Sequence, residues 1–395
     1  MSLPFSNIKV VELSHAVMGP SAGLFLADMG AQVTRVEPLS GDPTRFLKGF
    51  GVGYYPFYNR NKKIISTDLK KEEGKKIVID LIKKSDVVIE NFGPGTIDRL
   101  GLGYEDLKED NPELIFCSLK GFLPGPYEKR HAMDEIVQMM GGLAYMTGPS
   151  GQPLRAGASV IDISGGMFAA MGIITALYER ESSGKGKFVQ SSLYETCAFI
   201  MGQHMAYASQ NNDSVPPMPE RVSAWSIYRI FNTKDDDKVF IGVISEKHWA
   251  SFCDSFDRAD WEENENYSTN NKRIEHRDTL LKDIEDHILT LTKEEVIAIC
   301  EKARIPFAPI NRPEDLFEDP HLNQGSYGLV ETEFPNGVKT KMPRTPILYG
   351  DAKFDNRLNP AKSIGEHTVE ILKEIGYKSE EIEKLKEEEI INYEK

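Results

Sequence analysis

The first 120 residues of this 395-residue chain alternate short apolar runs with helical patterning, and few folds survive that alternation. Residues 8–13 (IKVVEL), 31–37 (AQVTRVE), 63–68 (KIISTD), 86–90 and 114–120 read as strands. Residues 21–29, closed by Gly30, and 72–84 read as helices between them. Strands joined through helices run parallel, so the pattern predicts βαβ units and a sheet buried on both faces. Helices over 134–145 and 164–181, a turn at 183–186 and a strand over 187–193 continue the series.

From Ile163 to Leu177 the chain carries no charge, and Gly165, Gly166 and Gly172 admit close approach of other backbone. Apolar residues on every face mark a buried helix. Asp162 stands directly ahead of this run. One reading is a plain N-cap. The other is a carboxylate nucleophile, held ionised by the macrodipole and by free amides at the helix mouth.

Composition narrows the class. With 40% hydrophobic and 27% charged residues the chain is globular, and a formal charge of −14 argues against nucleic-acid or anionic-membrane partners. No uninterrupted apolar stretch reaches membrane-spanning length, and MSLPFSN lacks the marks of a signal peptide. Cys117, Cys197, Cys253 and Cys300 are far apart, so neither a zinc site nor a disulfide framework is signalled and a cytoplasmic setting is expected. The length exceeds one ordinary core. Texture changes near Asn211: NNDSVPPMPERV reads as a linker, 238–244 as a strand and 249–302 as acidic helices. Residues 305–310 and NRPEDLFEDP read as a return passage, and 365–376 with 379–388 as amphipathic helices with solvated charges.

The first βα turn reads SHAVMGP, without the G-x-G-x-x-G of dinucleotide binders, so Glu37 at the end of the second strand has no glycine loop to work with. A second turn, ENFGPG, precedes a helix opening at Thr96, and with Asn91 and Arg99 it suits either an anionic group or a structural turn. The run Asn59–Lys63 reads as a solvated edge. Asp134 reads as a helix cap, His15 and His131 as structural histidines, and Glu246 as a loop carboxylate within reach of a site.

Several blocks, in order, resemble one family: VVELSHAVMGPSAGLFLADMGAQVTRVEP, NRNKKIISTDLKKEEGKK, ENFGPGTIDRLGLGYEDL, DEIVQMMGGLAYMTG, the Asp162 segment, ALYERESSGKGKFVQSSLYE and GEHTVEILKEIGY. They resemble the family III CoA-transferases, which also include the 2-methylacyl-CoA racemases. The resemblance implies an α/β fold, with a Rossmann-like large domain and parallel sheet (residues 1–205 and 340–395) and a smaller central α+β domain (226–310). Linkers over 206–225 and 311–339 would let two ring-like chains interlace as a homodimer. It implies Asp162 as the catalytic residue with Asp134 and Glu246 as auxiliaries. Coenzyme A contacts would come from His15, Ala16, Asn91, Phe92, Arg99, Lys120 and Phe122. Acyl-CoA and a carboxylic acid would be the substrates, with no tightly bound cofactor and no metal.

Two positions depart from the family: Pro38 and Gly93 stand where relatives carry basic residues, leaving Arg35 or the Asn59–Lys63 run to compensate. Racemases place a histidine where this chain has Met133, and a thioether carries no proton. Glu246 matches an acid that assists racemases and keeps that alternative open, as does a non-catalytic acyl-CoA-binding role. GVISE lacks the glycine-rich loop of formyl-CoA transferases. CSLKGFLPGPYEKR and the block before Asp162 look most like a branch acting on C4–C5 dicarboxylic acids, with Arg155 pairing either a distal carboxylate or a structural acid. Amides at the start of the Ser164 helix or in the Gly141-Gly142 turn are the expected oxyanion donors.

Overall fold

The computed structural model describes residues 3–211, 214–220, 223–325 and 327–394. In order come β1 (Lys9–Leu13), α1 (Met18–Asp28), β2 (Gln32–Glu37), α2 (Tyr54–Tyr58), β3 (Lys62–Thr67), α3 (Glu72–Ile82) and β4 (Val87–Glu90). Next are α4 (Thr96–Arg99), α5 (Tyr104–Leu107), β5 (Ile115–Lys120), α6 (Asp134–Met140), α7 (Leu143–Thr147), α8 (Val160–Ser183), β6 (Lys187–Ser192), α9 (Leu193–Ile200) and α10 (Gly202–Asn211). These six strands pair parallel in the order β3-β2-β1-β4-β5-β6. That is the order of a doubly wound sheet, whose crevice lies where order reverses, between β1 and β4.

Alternation along the strands decides the two faces. Val10, Val33, Ile89, Ile115 and Cys117 pack with α1 and α8. Val11, Leu13, Val88 and Phe116 pack on the opposite side with α3 and two C-terminal helices. The glycines of α8 serve contact with α1: a Cβ on Gly166 would lie 2.1 Å from Ser21 Oγ and 2.8 Å from the Met18 carbonyl oxygen.

Several expectations need correction. α8 starts at Val160, not at 164, and is not covered on every face: Met167, Met171 and Tyr178 are exposed. By length and composition α8 could also cross a membrane, contrary to the expectation that no stretch qualifies, although it packs here against α1, β5 and β6. The helix expected over 134–145 is two, broken where Gly142 takes φ +86°, a conformation glycine adopts freely. The Asn59–Lys63 run is no solvated edge. Asn59, Arg60 and Lys62 are buried because the buried acids Asp28 and Glu12 require partners: Arg60 Nη2 lies 2.6 Å from Asp28 and Lys62 Nζ 2.8 Å from Glu12.

The chain divides into Met1–Glu220 with Pro320–Lys395, and Arg221–Asp319. The smaller unit contains β7 (Ile227–Asn232), β8 (Lys238–Val243), α11 (Glu246–Ser255), α12 (Ala259–Glu262), α13 (Asn270–Glu275), α14 (Arg277–Ile288), α15 (Lys293–Ala303) and β9 (Phe307–Pro309). Its three strands form an antiparallel sheet with a separate core around Phe231, Trp249, Phe252 and Ile284. The stretch read as a linker over 311–339 carries α16 (Pro320–Gln324) and β10 (Leu329–Glu333), which hairpins onto β11 (Lys339–Pro343). The chain then adds α17 (Thr368–Ile375), α18 (Ser379–Glu387) and β12 (Ile391–Asn392), which pairs antiparallel with β3. Both chain ends therefore build the larger unit.

Candidate active site

At the switch point two turns are tied together by one side chain. Asn91, following β4, accepts the His15 amide at Oδ1 and donates from Nδ2 to the His15 carbonyl oxygen, both at 2.9 Å. Ala16, between β1 and α1, sits at φ +62°, unusual for a residue with a Cβ. The second turn is pinned from below. Lys120 Nζ donates to Glu90 Oε2 at 2.8 Å and to the Phe92 carbonyl at 2.7 Å, while the Phe92 amide donates to Glu90 at 3.0 Å. Lys120 thus spends its charge on holding this turn. Phe92 stacks on His15 with centroids 6.3 Å apart, and burial pushes the His15 imidazole below its ordinary value, towards the neutral form.

A cavity of about 630 Å³ opens over these turns and brings together His15, Ala16, Asn91, Phe92, Lys120, Asp134, Arg155 and Asp162. Arg99 lies on an adjoining cavity that shares Pro94 and Lys120 with the first. Phe122 touches that second cavity but is only 2% exposed, buried against Tyr127 and Tyr194. Arg35 cannot take the place of a missing phosphate ligand: it is fully buried among Asp42, Asn59, Glu12 and the Ser14 carbonyl. In the Asn59–Lys63 run only Lys63 reaches the surface, and it pairs with Glu370 and Glu374 at 2.9 and 2.8 Å. Glu246 belongs to the smaller unit and is no loop residue. It opens α11, with its carboxylate 2.8 Å from Arg273 Nη2 and accepting the Asn270 amide at 2.9 Å.

Asp162 sits in the first turn of α8, three residues past the N-cap Ser159, so it is not the cap. Asp134 does that work from another helix. Its Oδ2 accepts the amides of Ile161 and Asp162 at 2.9 and 3.1 Å. Asp134 Oδ1 receives Gln138 Nε2 at 2.5 Å and Arg155 Nη2 at 3.5 Å, and Gln138 Oε1 accepts the Ala156 amide at 2.8 Å. Gln138 is fully buried and escaped sequence reading, although Asp and Gln four apart share one helix face.

With its helix-mouth amides already occupied, Asp162 ionises less readily than expected. Burial pushes its carboxyl up to about 7, the Asp134 charge adds to this, and Arg155 opposes it. The Tyr58 phenol, from α2, is pushed up to about 12 by burial and by Asp162, so it stays protonated. No hydrogen bond to the Asp162 carboxylate occurs among the described residues. Of the expected oxyanion donors, those at the start of α8 and Gly141 are spent: besides the two amides on Asp134, Ile163 donates to Ser159 and Gly141 to Val137, whereas the Gly142 amide makes no main-chain bond among the described residues and lines a different cavity. No cluster of three or more His, Cys, Asp or Glu side chains suited to a metal occurs among the described residues.

Known proteins share this architecture. The model of CoA-transferase family III matches residues 5–368. The chain belongs to this family. A human succinyl-CoA:glutarate CoA-transferase is 31% identical over 94% of this chain and 86% of its own length. A formyl-CoA:oxalate CoA-transferase of Rhodopseudomonas palustris is 32% identical over 95% of this chain and 94% of its own. The crystal structure of a CaiB/BaiF family protein from Brucella suis superposes with a TM-score of 0.85 at 30% identity, covering 95% of this chain and all of that one. As a family III CoA-transferase the protein is an enzyme that moves CoA between an acyl-CoA and a carboxylic acid.

Proposed function

We propose that CoA transfer proceeds through a mixed anhydride on Asp162. The observation that carries this is a carboxylate inside the switch-point cavity whose oxygens accept no hydrogen bond from the described residues. Its lone pairs are free for attack once the proton is lost. An Asp162 oxygen bonds to the thioester carbonyl carbon, the C–S bond breaks, and CoA leaves as thiolate. The thiolate next attacks the Asp162 carbonyl of the anhydride, releasing the first acid and leaving CoA as a thioester on Asp162. The acceptor carboxylate attacks that thioester, forming a second anhydride, and CoA then captures the acceptor's acyl group and frees Asp162. One thioester replaces another, so the exchange is nearly thermoneutral, and the task is to exclude water. Asp134 orients the nucleophile through two amides, while Glu246, tied to Arg273, is retained only as a candidate auxiliary.

The pantetheine arm is assigned to the turns at His15, Ala16, Asn91 and Phe92, and the phosphates to the side of Arg99. Lys120 supports the second of these turns from within, and Phe122 lies beside the Arg99 cavity, buried against Tyr127 and Tyr194. Dicarboxylic acids of four or five carbons are the proposed acids. Arg155 lines the cavity and is only loosely paired, at 3.5 Å to Asp134 and 3.7 Å to Glu135, so a distal carboxylate can recruit it. The exposed apolar face of α8, with Phe199 and Met205 beyond it, supports an interlaced homodimer. Four buried free cysteines fit a reducing cytoplasm.

Racemisation is disfavoured because Met133, at the N-cap of α6 and lining the cavity, cannot carry a proton. The enzyme is incubated with acyl-CoA, then treated with hydroxylamine or borohydride. Modification at Asp162 is expected, and modification elsewhere refutes the assignment. Exchange of the substrate α-hydrogen with deuterated water would favour the racemase.

A further inference from the structure

The start of α8 leaves one side chain without its ordinary task. Ser159 is the N-cap, and a serine there normally turns its oxygen onto the amide of the second or third helical residue. Those residues are Ile161 and Asp162, and Asp134 Oδ2 already holds both amides. Ser159 accordingly makes no side-chain capping bond, and its hydroxyl has no hydrogen-bond partner among the described residues. Yet Ser159 is only 8% exposed and lines the same cavity as Asp162. The hydroxyl is therefore open to the cavity and its O–H is free to donate to a bound ligand. Ser159 and Asp162, three apart at one helix start, face the same side.

We propose that Ser159 is a catalytic residue whose hydroxyl donates a hydrogen bond to the acyl carbonyl oxygen under attack. This rests on Asp162 as the nucleophile. As the Asp162 oxygen bonds to the carbonyl carbon, the π electrons move onto the carbonyl oxygen, and the Ser159 O–H stabilises that charge. When the C=O re-forms, the C–S bond breaks and CoA departs with the electron pair, and no proton changes hands. The neighbouring main-chain donors cannot do this, because the amides of Ile161, Asp162 and Ile163 are all bonded elsewhere.

The test is single-turnover acylation of Asp162, read by hydroxylamine labelling and mass spectrometry in the wild type, Ser159→Ala and Ser159→Thr. Removing one such donor costs about 10²-fold or more in rate. Ser159→Ala is expected to label Asp162 about 100-fold more slowly, with KM for acyl-CoA within about threefold and an unchanged Tm, because Asp134 holds the cap. Recovery of rate in Ser159→Thr would support the assignment. Acylation of Ser159→Ala at the wild-type rate overturns it, as does a lowered Tm with normal kcat, the mark of a cap. Absence of label on Asp162 in the wild type would instead remove the nucleophile itself, a separately readable failure.

Discussion

Asp162 and Asp134 are two carboxylates in one cavity with opposite surroundings. Asp134 has two amides, Gln138 and Arg155, whereas Asp162 has burial and the charge of Asp134. The expected consequence is a kcat that rises with pH through about 7 as Asp162 loses its proton. Asp134→Asn keeps an oxygen for the two amides but removes the charge that raises Asp162, so this limb should move to lower pH; a pH profile decides. The same shift makes a stability prediction. Asp162 lies above its ordinary 3.8, so between about 4 and 7 the folded state holds more protons than the unfolded one, and stability falls as pH rises. Asp162→Asn removes that slope. It should raise Tm at pH 8, measured by calorimetry, while lowering transfer about 10⁴-fold or more. Local sequence could not separate cap from nucleophile, because both need a carboxylate at a helix start; the structure removes the first reading, since Asp134, 28 residues upstream, supplies the cap.

At the scale of elements, the parallel strands were legible because burial on both faces leaves continuous apolar runs. The start of α8 was not. Val160 and Ile161 carry no helix-start signal of their own, and the first turn is organised from α6. The contact of α8 with α1 depends on glycine. Gly166→Ala places a methyl 2.1 Å from Ser21 Oγ and 2.8 Å from a Met18 carbonyl that cannot yield, so a loss of about 1–3 kcal/mol is expected in denaturant melts. Asn91→Ala breaks the clamp on the His15 loop. It should raise KM for acyl-CoA with little change in Tm, since the strands beneath are pinned separately by Lys120 and Glu90.

For the molecule as a whole, the larger unit leaves Met167, Met171, Tyr178 and Phe199 open to solvent, more apolar side chain than a lone chain usually shows. Light scattering should find a dimer, and Met171→Glu should weaken it by placing a charge on that face. A monomer at micromolar concentration would refute the interlaced assembly.

Composition, strand–helix alternation and the uncharged glycine run were enough to predict βαβ units around a parallel sheet buried on both faces, with a carboxylate ahead of a long buried helix, since these follow from burial and periodicity along the chain. Only the fold decided which charges are free. Arg60 and Lys62 read as part of a solvated edge, and Arg35 as a substitute for missing basic contacts, until the acids Glu12, Asp28 and Asp42 proved to lie beside them in the core. Pairing between residues distant in sequence is a property of three-dimensional packing, and the same packing releases the oxygens of Asp162 and the hydroxyl of Ser159 into the cavity.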